Sequence, residues 1–209
     1  MSADLAIAVA QVNPTVGDLR GNVARMRAAR AEAAGQGADL VAFPELCVAG
    51  YQPEDLVLKP AFLEACRASV EDLARDTADG GPAMLVGAPW VEGDKPYNAA
   101  LLLEGGRVAA QRFKQDLPNY GVFDDKRVFA AGQPQGPLQF RGARIGVLIC
   151  EDMWTPDVTE TLEERRQSET FCRIHGRTAA AHACTDQHTL APAENQGIEI
   201  AEIRRFQRL

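Results

Sequence analysis

The chain has 209 residues, of which 46% are hydrophobic and 24% charged, and its formal net charge is −7. This length fits one large domain with a sizeable core. The negative charge, without any basic cluster, disfavours nucleic acid and anionic membranes as partners, and no stretch approaches the ~20 apolar residues of a membrane span. Five cysteines at irregular spacing, with no recognisable secretory signal, predict reduced thiols and a cytoplasmic location.

The first quarter of the chain predicts a strand, a helix and a second strand. Residues 5–12 are almost entirely apolar, which indicates a buried strand. Asp18 can cap a helix that ends at about Gly35. The apolar run 40–43 predicts a second buried strand, which stops two residues before Glu45.

The next segment predicts a helix and three further strands. Pro60 opens a helix in which Cys66 belongs to an apolar stripe repeating at three and four residues. Residues 84–87 predict a third strand, and residues 98–103 and 108–113 flank two glycines as a β-hairpin. Strands that alternate with helices, followed by an antiparallel hairpin, indicate an α/β protein with a mixed sheet.

Beyond the hairpin the chain predicts a long loop, a buried strand and a short helix. Residues 114–132 are dense in turn-forming and charged residues, which is typical of a loop. Residues 143–149 predict a strand that stops at Cys150, and residues 156–164 predict a helix. A cysteine after the carboxyl end of a strand lies where α/β folds place their chemistry.

The composition changes near residue 164, and we predict a domain over residues 1–164 with a divergent tail over residues 165–209. Residues 165–190 show neither strand nor helix periodicity, and residues 198–209 alone regain a helix-like alternation. An out-of-frame or wrongly joined coding segment would produce such a tail. A disordered or interaction segment is the alternative.

The tail also carries residue types that bind zinc, which leaves a metal site as a further alternative. These residues are Cys172, His175, His182, Cys184 and His188. Their spacing matches no recognisable zinc-finger pattern.

Three residues with complementary chemistry lie at the ends of predicted strands. Glu45, Lys114 and Cys150 can converge if their strands belong to one sheet. A thiol that attacks an amide needs a base, a positive group for the oxyanion and a proton donor for ammonia. Taken singly, the cysteine would be an ordinary core residue, and each charge an ordinary surface residue.

The segments around these residues resemble the nitrilase, or carbon–nitrogen hydrolase, superfamily. The matching segments are 43–51, 113–124 and 146–154, in the order and spacing of that superfamily. Two stretches, 50–60 and 117–127, look like the glutaminase domain of glutamine-dependent NAD+ synthetases.

The resemblance implies an α-β-β-α sandwich with mixed sheets, incomplete at its carboxyl-terminal end because the likeness stops near residue 164. It also implies glutamine as the substrate. In the implied triad, Glu45 is the general base, Lys114 stabilises the tetrahedral intermediate and Cys150 forms a γ-glutamyl thioester.

Four further site residues follow from the resemblance. Tyr120 and Phe123 would line the glutamine pocket, and the backbone amide of Glu151 would be a second oxyanion donor. Asp125 stands where the superfamily commonly has glutamate, so its carboxylate must reach further to orient Lys114 or assist catalysis. No residue can be assigned to the amino and carboxylate groups of the substrate.

We expect no cofactor in this chain, because ATP and deamido-NAD would belong to a synthetase domain. The sequence contains neither a serine-glycine-glycine pyrophosphate loop nor a Walker-type glycine run. Ammonia would pass to a synthetase domain or subunit, and self-association as a homo-oligomer is open. A free-standing nitrilase-like amidase and an inactive fragment are the alternatives. Loss of sandwich strands would expose apolar surface, which predicts poor solubility or inactivity.

Overall fold

The computed structural model describes residues 5–154, 156–158 and 199–206, the last range as backbone only. The α-helices of the described part are α1 (Leu19–Gly35), α2 (Pro60–Asp76) and α3 (Asp125–Val128), and residues 156–158 are also helical. Its strands are β1 (Leu5–Gln11), β2 (Leu40–Ala42), β3 (Ala83–Glu92), β4 (Lys95–Glu104), β5 (Arg107–Phe113), β6 (Leu138–Phe140), β7 (Ala143–Ile145) and β8 (Glu199–Phe206).

Six of the described strands form one mixed sheet in the order β5-β4-β3-β2-β1-β8. The pairs β1–β2 and β2–β3 are parallel, whereas β3–β4, β4–β5 and β1–β8 are antiparallel. The remaining strands, β6 and β7, form a separate antiparallel pair. The predicted α/β class with mixed sheets is therefore confirmed.

The large sheet separates two apolar clusters. On one face, Met26 of α1 and Leu73 of α2 are fully buried against sheet residues such as Leu101. On the other face, Phe140 of β6 packs with Leu85 of β3. Helices, large sheet and small sheet correspond to three successive layers of the predicted sandwich.

The two long helices, α1 and α2, begin where the local sequence predicted. The Asp18 side chain accepts a hydrogen bond from the Gly21 backbone N at 3.0 Å, which caps α1. Gly37, just beyond α1, has a φ of 75°, a value that favours glycine. Pro60 is the first residue of α2, and Cys66 on its inner face is fully buried.

Strand β3 runs through Pro89 and is longer than the predicted 84–87. The carbonyl groups of Leu85 and Gly87 point away from β4, where they accept from the backbone N of Phe43 and Val48. The backbone nitrogen of Pro89 also points away from β4, because the backbone groups of every second residue in a strand point to the same side. Strand β2 does not extend that far, so the missing N–H of proline costs no ladder hydrogen bond.

The strand predicted over residues 143–149 was wrong in its second half. Strand β7 ends at Ile145, and residues 146–149 have no regular secondary structure. Within the described chain, no strand lies beside 146–149 to pair with it. Val147 and Ile149 still pack into the apolar cluster that contains Phe140 and Leu85. The predicted burial is therefore present without the hydrogen bonds of a strand.

The helix-like alternation predicted over residues 198–209 was also wrong, because residues 199–206 form β8. Ile200 pairs with Ala10 and Ile203 with Ala8, with a register shift between the two pairs. A bulge therefore absorbs one extra residue. Ile200 and Ile203 are three residues apart, a spacing that looks helical in sequence. Because of the bulge, they pair with Ala10 and Ala8, which are only two residues apart.

Most of the predicted tail lies outside the described residues, as do all five potential zinc ligands. Of the helix predicted over 156–164, residues 156–158 are helical and the rest falls outside the described ranges. Within those ranges no helix is both long and apolar enough to cross a bilayer. The same ranges contain no group of three or more His, Cys, Asp or Glu residues arranged to hold a metal ion.

Candidate active site

Lys114 lies at the centre of a buried ionic cluster. Its side chain is 0% exposed, and its Nζ donates to Glu45 Oε1 and to Asp125 Oδ2, each at 2.8 Å. Glu45 follows β2 and Lys114 follows β5, so the predicted convergence of these two strand ends is observed. A buried ammonium group is tolerated only when it is paired and hydrogen-bonded in this way.

Two opposing effects act on the pKa of Lys114. Burial lowers the pKa, but the negative charges of Glu45 and Asp125 and their hydrogen bonds outweigh burial, so the pKa lies above its usual value. The side chain is therefore a permanent positive charge at neutral pH. It can stabilise a developing oxyanion but cannot act as a base.

Asp125 reaches Lys114 because α3 begins at this residue. The Asp125 backbone N donates to Pro118 O at 3.1 Å, and Phe129 N donates to Asp125 O at 2.8 Å, which closes the helical turn. This turn lies inside residues 114–132, which the sequence predicted as loop throughout. It brings the shorter carboxylate within 2.8 Å of the ammonium, so the backbone makes up for the missing methylene.

Asn98 is a site residue that the sequence interpretation missed. Its side chain is 1% exposed and its Nδ2 donates to Glu45 Oε1 at 2.6 Å. Its backbone O also accepts from Lys114 N at 2.9 Å. Oε1 of Glu45 thus receives both the amide and the ammonium, while neither donor binds Oε2. An amide within an otherwise apolar strand was the signal that could have revealed it.

The segment that carries Glu45 lies directly against β3. Leu46 has a φ of 50°, and Val48 N donates to Gly87 O at 3.0 Å. A Cβ on Gly87 would overlap the backbone nitrogen of Leu46 and lie 2.5 Å from Pro44 O. Only glycine fits at this position. The position of Glu45 is therefore set by backbone packing as well as by its own hydrogen bonds.

Cys150 begins a single turn of 3₁₀ helix, Cys150–Met153, instead of ending a strand. Its φ is 49°, a region that residues other than glycine rarely adopt. The side chain is partly buried. In α/β-hydrolases a strained turn between a strand and a helix presents the nucleophile to the substrate. The backbone at Cys150 fits that role.

Asp152 joins the cysteine turn to the lysine loop. Its Oδ1 accepts from the backbone N of Gln115 at 2.9 Å and of Asp116 at 2.8 Å. Its Oδ2 accepts from Ile149 N at 3.1 Å. Burial raises the pKa of Asp152, whereas these backbone hydrogen bonds act to lower it. The residues that directly follow Lys114 are thereby held against the Cys150 turn.

The predicted pocket residues lie together at the rim of the site. Tyr120 Oη donates to Glu151 Oε2 at 2.9 Å, and the Tyr120 ring meets the Phe123 ring edge-on with centroids 5.6 Å apart. The hydrogen bond to Glu151 raises the pKa of the tyrosine. Tyr120 is 57% exposed, so its aromatic face is available to a small molecule that approaches Cys150.

Two other described cysteines are buried and play a packing role, as predicted. Cys47 and Cys66 are both 0% exposed, and burial raises the pKa of each to about 12. Such thiols stay protonated and inert at neutral pH. Among the described residues, Cys150 is the one thiol with solvent access.

The chain was compared with known families, curated proteins and solved structures. The profile of the family described as carbon–nitrogen hydrolase matches residues 6–194. The chain is 46% identical over 156 residues to a glutamine-dependent NAD(+) synthetase of Rhodobacter capsulatus, which covers 75% of this chain and 28% of that protein. It therefore spans little more than a quarter of the length of this relative.

Two solved structures share the fold. A glutamine-dependent NAD+ synthetase from Acinetobacter baumannii, in complex with adenosine diphosphate, matches with a TM-score of 0.70 and 33% identity, over 78% of this chain and 31% of that one. A mutant of the amidase from Nesterenkonia sp. AN1, with acrylamide added to its active-site cysteine, matches with a TM-score of 0.66 and 28% identity, over 80% and 65%.

Proposed function

This chain belongs to the carbon–nitrogen hydrolase family, and we propose that it hydrolyses the side-chain amide of glutamine through a thioester on Cys150. The ammonia would supply the synthetase part of a glutamine-dependent NAD+ synthetase. One observation carries the proposal: the buried cluster of Glu45, Lys114 and Asp125 lies beside the Cys150 turn, tethered to it by Asp152. The cluster supplies a carboxylate and a permanent positive charge, and its lysine lies on the loop that Asp152 ties to the turn of Cys150.

In the proposed first step, Glu45 accepts the proton of the Cys150 thiol and the thiolate attacks the amide carbon. A carbon–sulfur bond forms, and the carbonyl electrons move to oxygen. Lys114 and the backbone N–H of Glu151 stabilise this oxyanion. When the tetrahedral intermediate collapses, the carbon–nitrogen bond breaks and Glu45 returns its proton to the departing ammonia.

In the second step, water hydrolyses the γ-glutamyl thioester. Glu45 accepts a proton from the attacking water, and the same two donors stabilise the second oxyanion. The carbon–sulfur bond then breaks, Glu45 returns its proton to the departing sulfur, and glutamate is released. Asp125 keeps the ammonium of Lys114 oriented in both steps, because it accepts a second of the three N–H groups of Nζ and leaves the third for the oxyanion.

We assign the rim residues Tyr120, Phe123 and Glu151 to glutamine binding. The ammonia passes to a synthetase domain or subunit, where ATP and deamido-NAD bind, and the hydrolase chemistry itself uses no cofactor. We place the reaction in the cytoplasm, where the thiols of this chain stay reduced. Self-association as a homo-oligomer is part of the same proposal.

A free-standing amidase is the second candidate, because the chain covers 65% of the Nesterenkonia amidase and shares its fold. We expect kcat/KM for glutamine to exceed that for propionamide by about 10²-fold or more, since a pocket built around polar groups rejects substrates that leave those groups unpaired. Ammonia release from each amide at equal protein concentration measures this ratio. Equal rates on both amides would support the amidase and contradict the glutaminase.

The contact between Asn98 and Glu45 predicts a change in pH dependence. Asn98→Asp replaces the amide that donates to Glu45 Oε1 with a second carboxylate. The two carboxylates repel each other, which disfavours the state in which both are ionised. We expect the acidic limb of the kcat/KM profile for glutamine to move to higher pH by about one unit or more. An unchanged limb would show that Asn98 does not act on the base.

A further inference from the structure

The proposed reaction needs the Cys150 thiol and the Lys114 ammonium at a fixed separation, yet they belong to segments held in different ways. Lys114 is tied to the sheet region, because its backbone N donates to Asn98 O at 2.9 Å and its O accepts from Gly132 N at 2.8 Å. The segment before Cys150, residues 146–149, has no strand beside it in the described chain. None of the described strands therefore places the cysteine by sheet pairing.

The carboxylate of Asp152 supplies the missing connection. It is 2% exposed and accepts three backbone N–H groups, from Gln115 and Asp116 on one oxygen and from Ile149 on the other. These bonds cross from the cysteine turn to the lysine loop, over 36 and 37 positions of sequence. Hydrogen bonds to a charged acceptor are stronger than those between neutral groups.

We propose that Asp152 is a positioning residue that holds the Cys150 turn against the Lys114 loop and thereby sets the distance between thiol and ammonium. The inference rests on the proposed function for the roles of those two groups. It also accounts for the φ of 49° at Cys150, since a non-glycine residue keeps such a conformation only where its surroundings hold it there.

The pH dependence of Cys150 alkylation separates positioning from a simple charge effect. Removing a nearby negative charge favours the thiolate, so that effect alone moves the alkylation profile to lower pH. Loosening Lys114 from the thiol removes a positive charge and moves the profile to higher pH. We therefore expect Asp152→Asn and Asp152→Ala to move the iodoacetamide profile of Cys150 to higher pH.

The loss of activity should be smaller in Asp152→Asn than in Asp152→Ala. Asparagine can keep one oxygen for the N–H groups of Gln115 and Asp116, but it places an amide N–H against the N–H of Ile149. Alanine loses all three acceptor contacts. We expect kcat for glutamine to fall about 10-fold in Asp152→Asn and about 10²-fold in Asp152→Ala, with KM changed much less, because a small misplacement of reacting groups lowers the rate of the chemical step.

Asp39→Asn is the matched control. Asp39 also accepts a backbone N–H, from Ala6 at 2.8 Å, and pairs with Arg141 at 3.1 Å, but it precedes β2 and so lies at the opposite end of that strand from Glu45. We expect this variant to lose stability without any shift in the Cys150 alkylation profile.

Peptide mapping by mass spectrometry assigns each modified cysteine and makes the buried thiols internal reporters of unfolding. If Cys47 and Cys66 react as fast as Cys150 in Asp152→Asn, the residue supports only the fold and the proposal is wrong. A profile that moves to lower pH also overturns it. Because alkylation needs no glutamine, an upward shift in a protein without glutaminase activity would refute the proposed function and leave this inference standing.

Discussion

Cys150→Ala is expected to lower the rate of glutamine hydrolysis by about 10⁴-fold or more, because the nucleophile of a covalent mechanism has no substitute in the site. The residue begins a turn and is only partly buried, so removing the sulfur should change the free energy of unfolding by less than about 1 kcal/mol. Ammonia release measures the first quantity, and urea denaturation followed by circular dichroism measures the second.

Cys66→Ala provides the control for this substitution. Cys66 lies on the inner face of α2, and burial raises its pKa to about 12. Its replacement should leave kcat unchanged and reduce stability by about 1–2 kcal/mol through the lost packing. An electrophilic glutamine analogue should modify Cys150 in the unaltered protein and leave Cys66 untouched. Full ammonia release by the Cys150→Ala protein would eliminate the proposed mechanism.

Lys114→Met is expected to affect both catalysis and folding. Methionine has nearly the length of lysine but leaves Glu45 and Asp125 buried without their shared counter-charge. Breaking a buried ion pair in this way costs about 3–5 kcal/mol. Loss of the oxyanion charge should lower kcat by about 10²–10³-fold. Urea denaturation and ammonia release at neutral pH test the two effects separately.

The stability deficit of Lys114→Met should depend on pH in a defined direction. Without the ammonium, the two buried carboxylates repel each other when both are ionised, and proton binding relieves that repulsion. The folded state then gains protons more readily than the unfolded state as pH falls, so the destabilisation is fully present at neutral pH and shrinks towards about pH 4. A deficit that does not change with pH would contradict this account of the cluster.

Lys126→Met is the matched control for the lysine substitution. Lys126 lies in α3 next to Asp125 but is exposed, and the described structure places it in no ion pair. Its replacement should change stability by less than about 0.5 kcal/mol and leave kcat unaltered. A similar loss in both variants would mean that overall charge, and not the buried cluster, produces the effect.

The parts of this fold that could be predicted are those that depend on local patterns. The cap at Asp18, the proline that opens α2 and the hairpin around Gly105 all follow from nearby residues. Glu45 and Lys114 could be singled out because strand ends are recognisable in sequence, and the resemblance then supplied their proposed roles. Their ion pair is observed at 2.8 Å.

The parts that could not be predicted depend on which backbone groups the tertiary fold brings together. Asn98 meets Glu45 across 53 positions, and Asp152 meets Gln115 across 37. The local sequence marks Asn98 as an amide in an otherwise apolar strand and Asp152 as an acid in a turn, but it does not show which groups these side chains contact. The short helix at Asp125 and the bulge in β8 likewise depend on tertiary contacts. Asp125 N donates to Pro118 O, and β8 pairs with β1.

Gly87 has no functional group, yet it restricts how this protein can change. Because any Cβ there would collide with the chain at Leu46, a substitution would lift the segment of Glu45 away from the sheet. Sequence variation in β3 is thus limited by the role proposed for Glu45, which lies in the segment that follows β2. A mutant library that randomises β3 should keep this codon fixed, and an alignment that ranks positions by side-chain chemistry alone would overlook it.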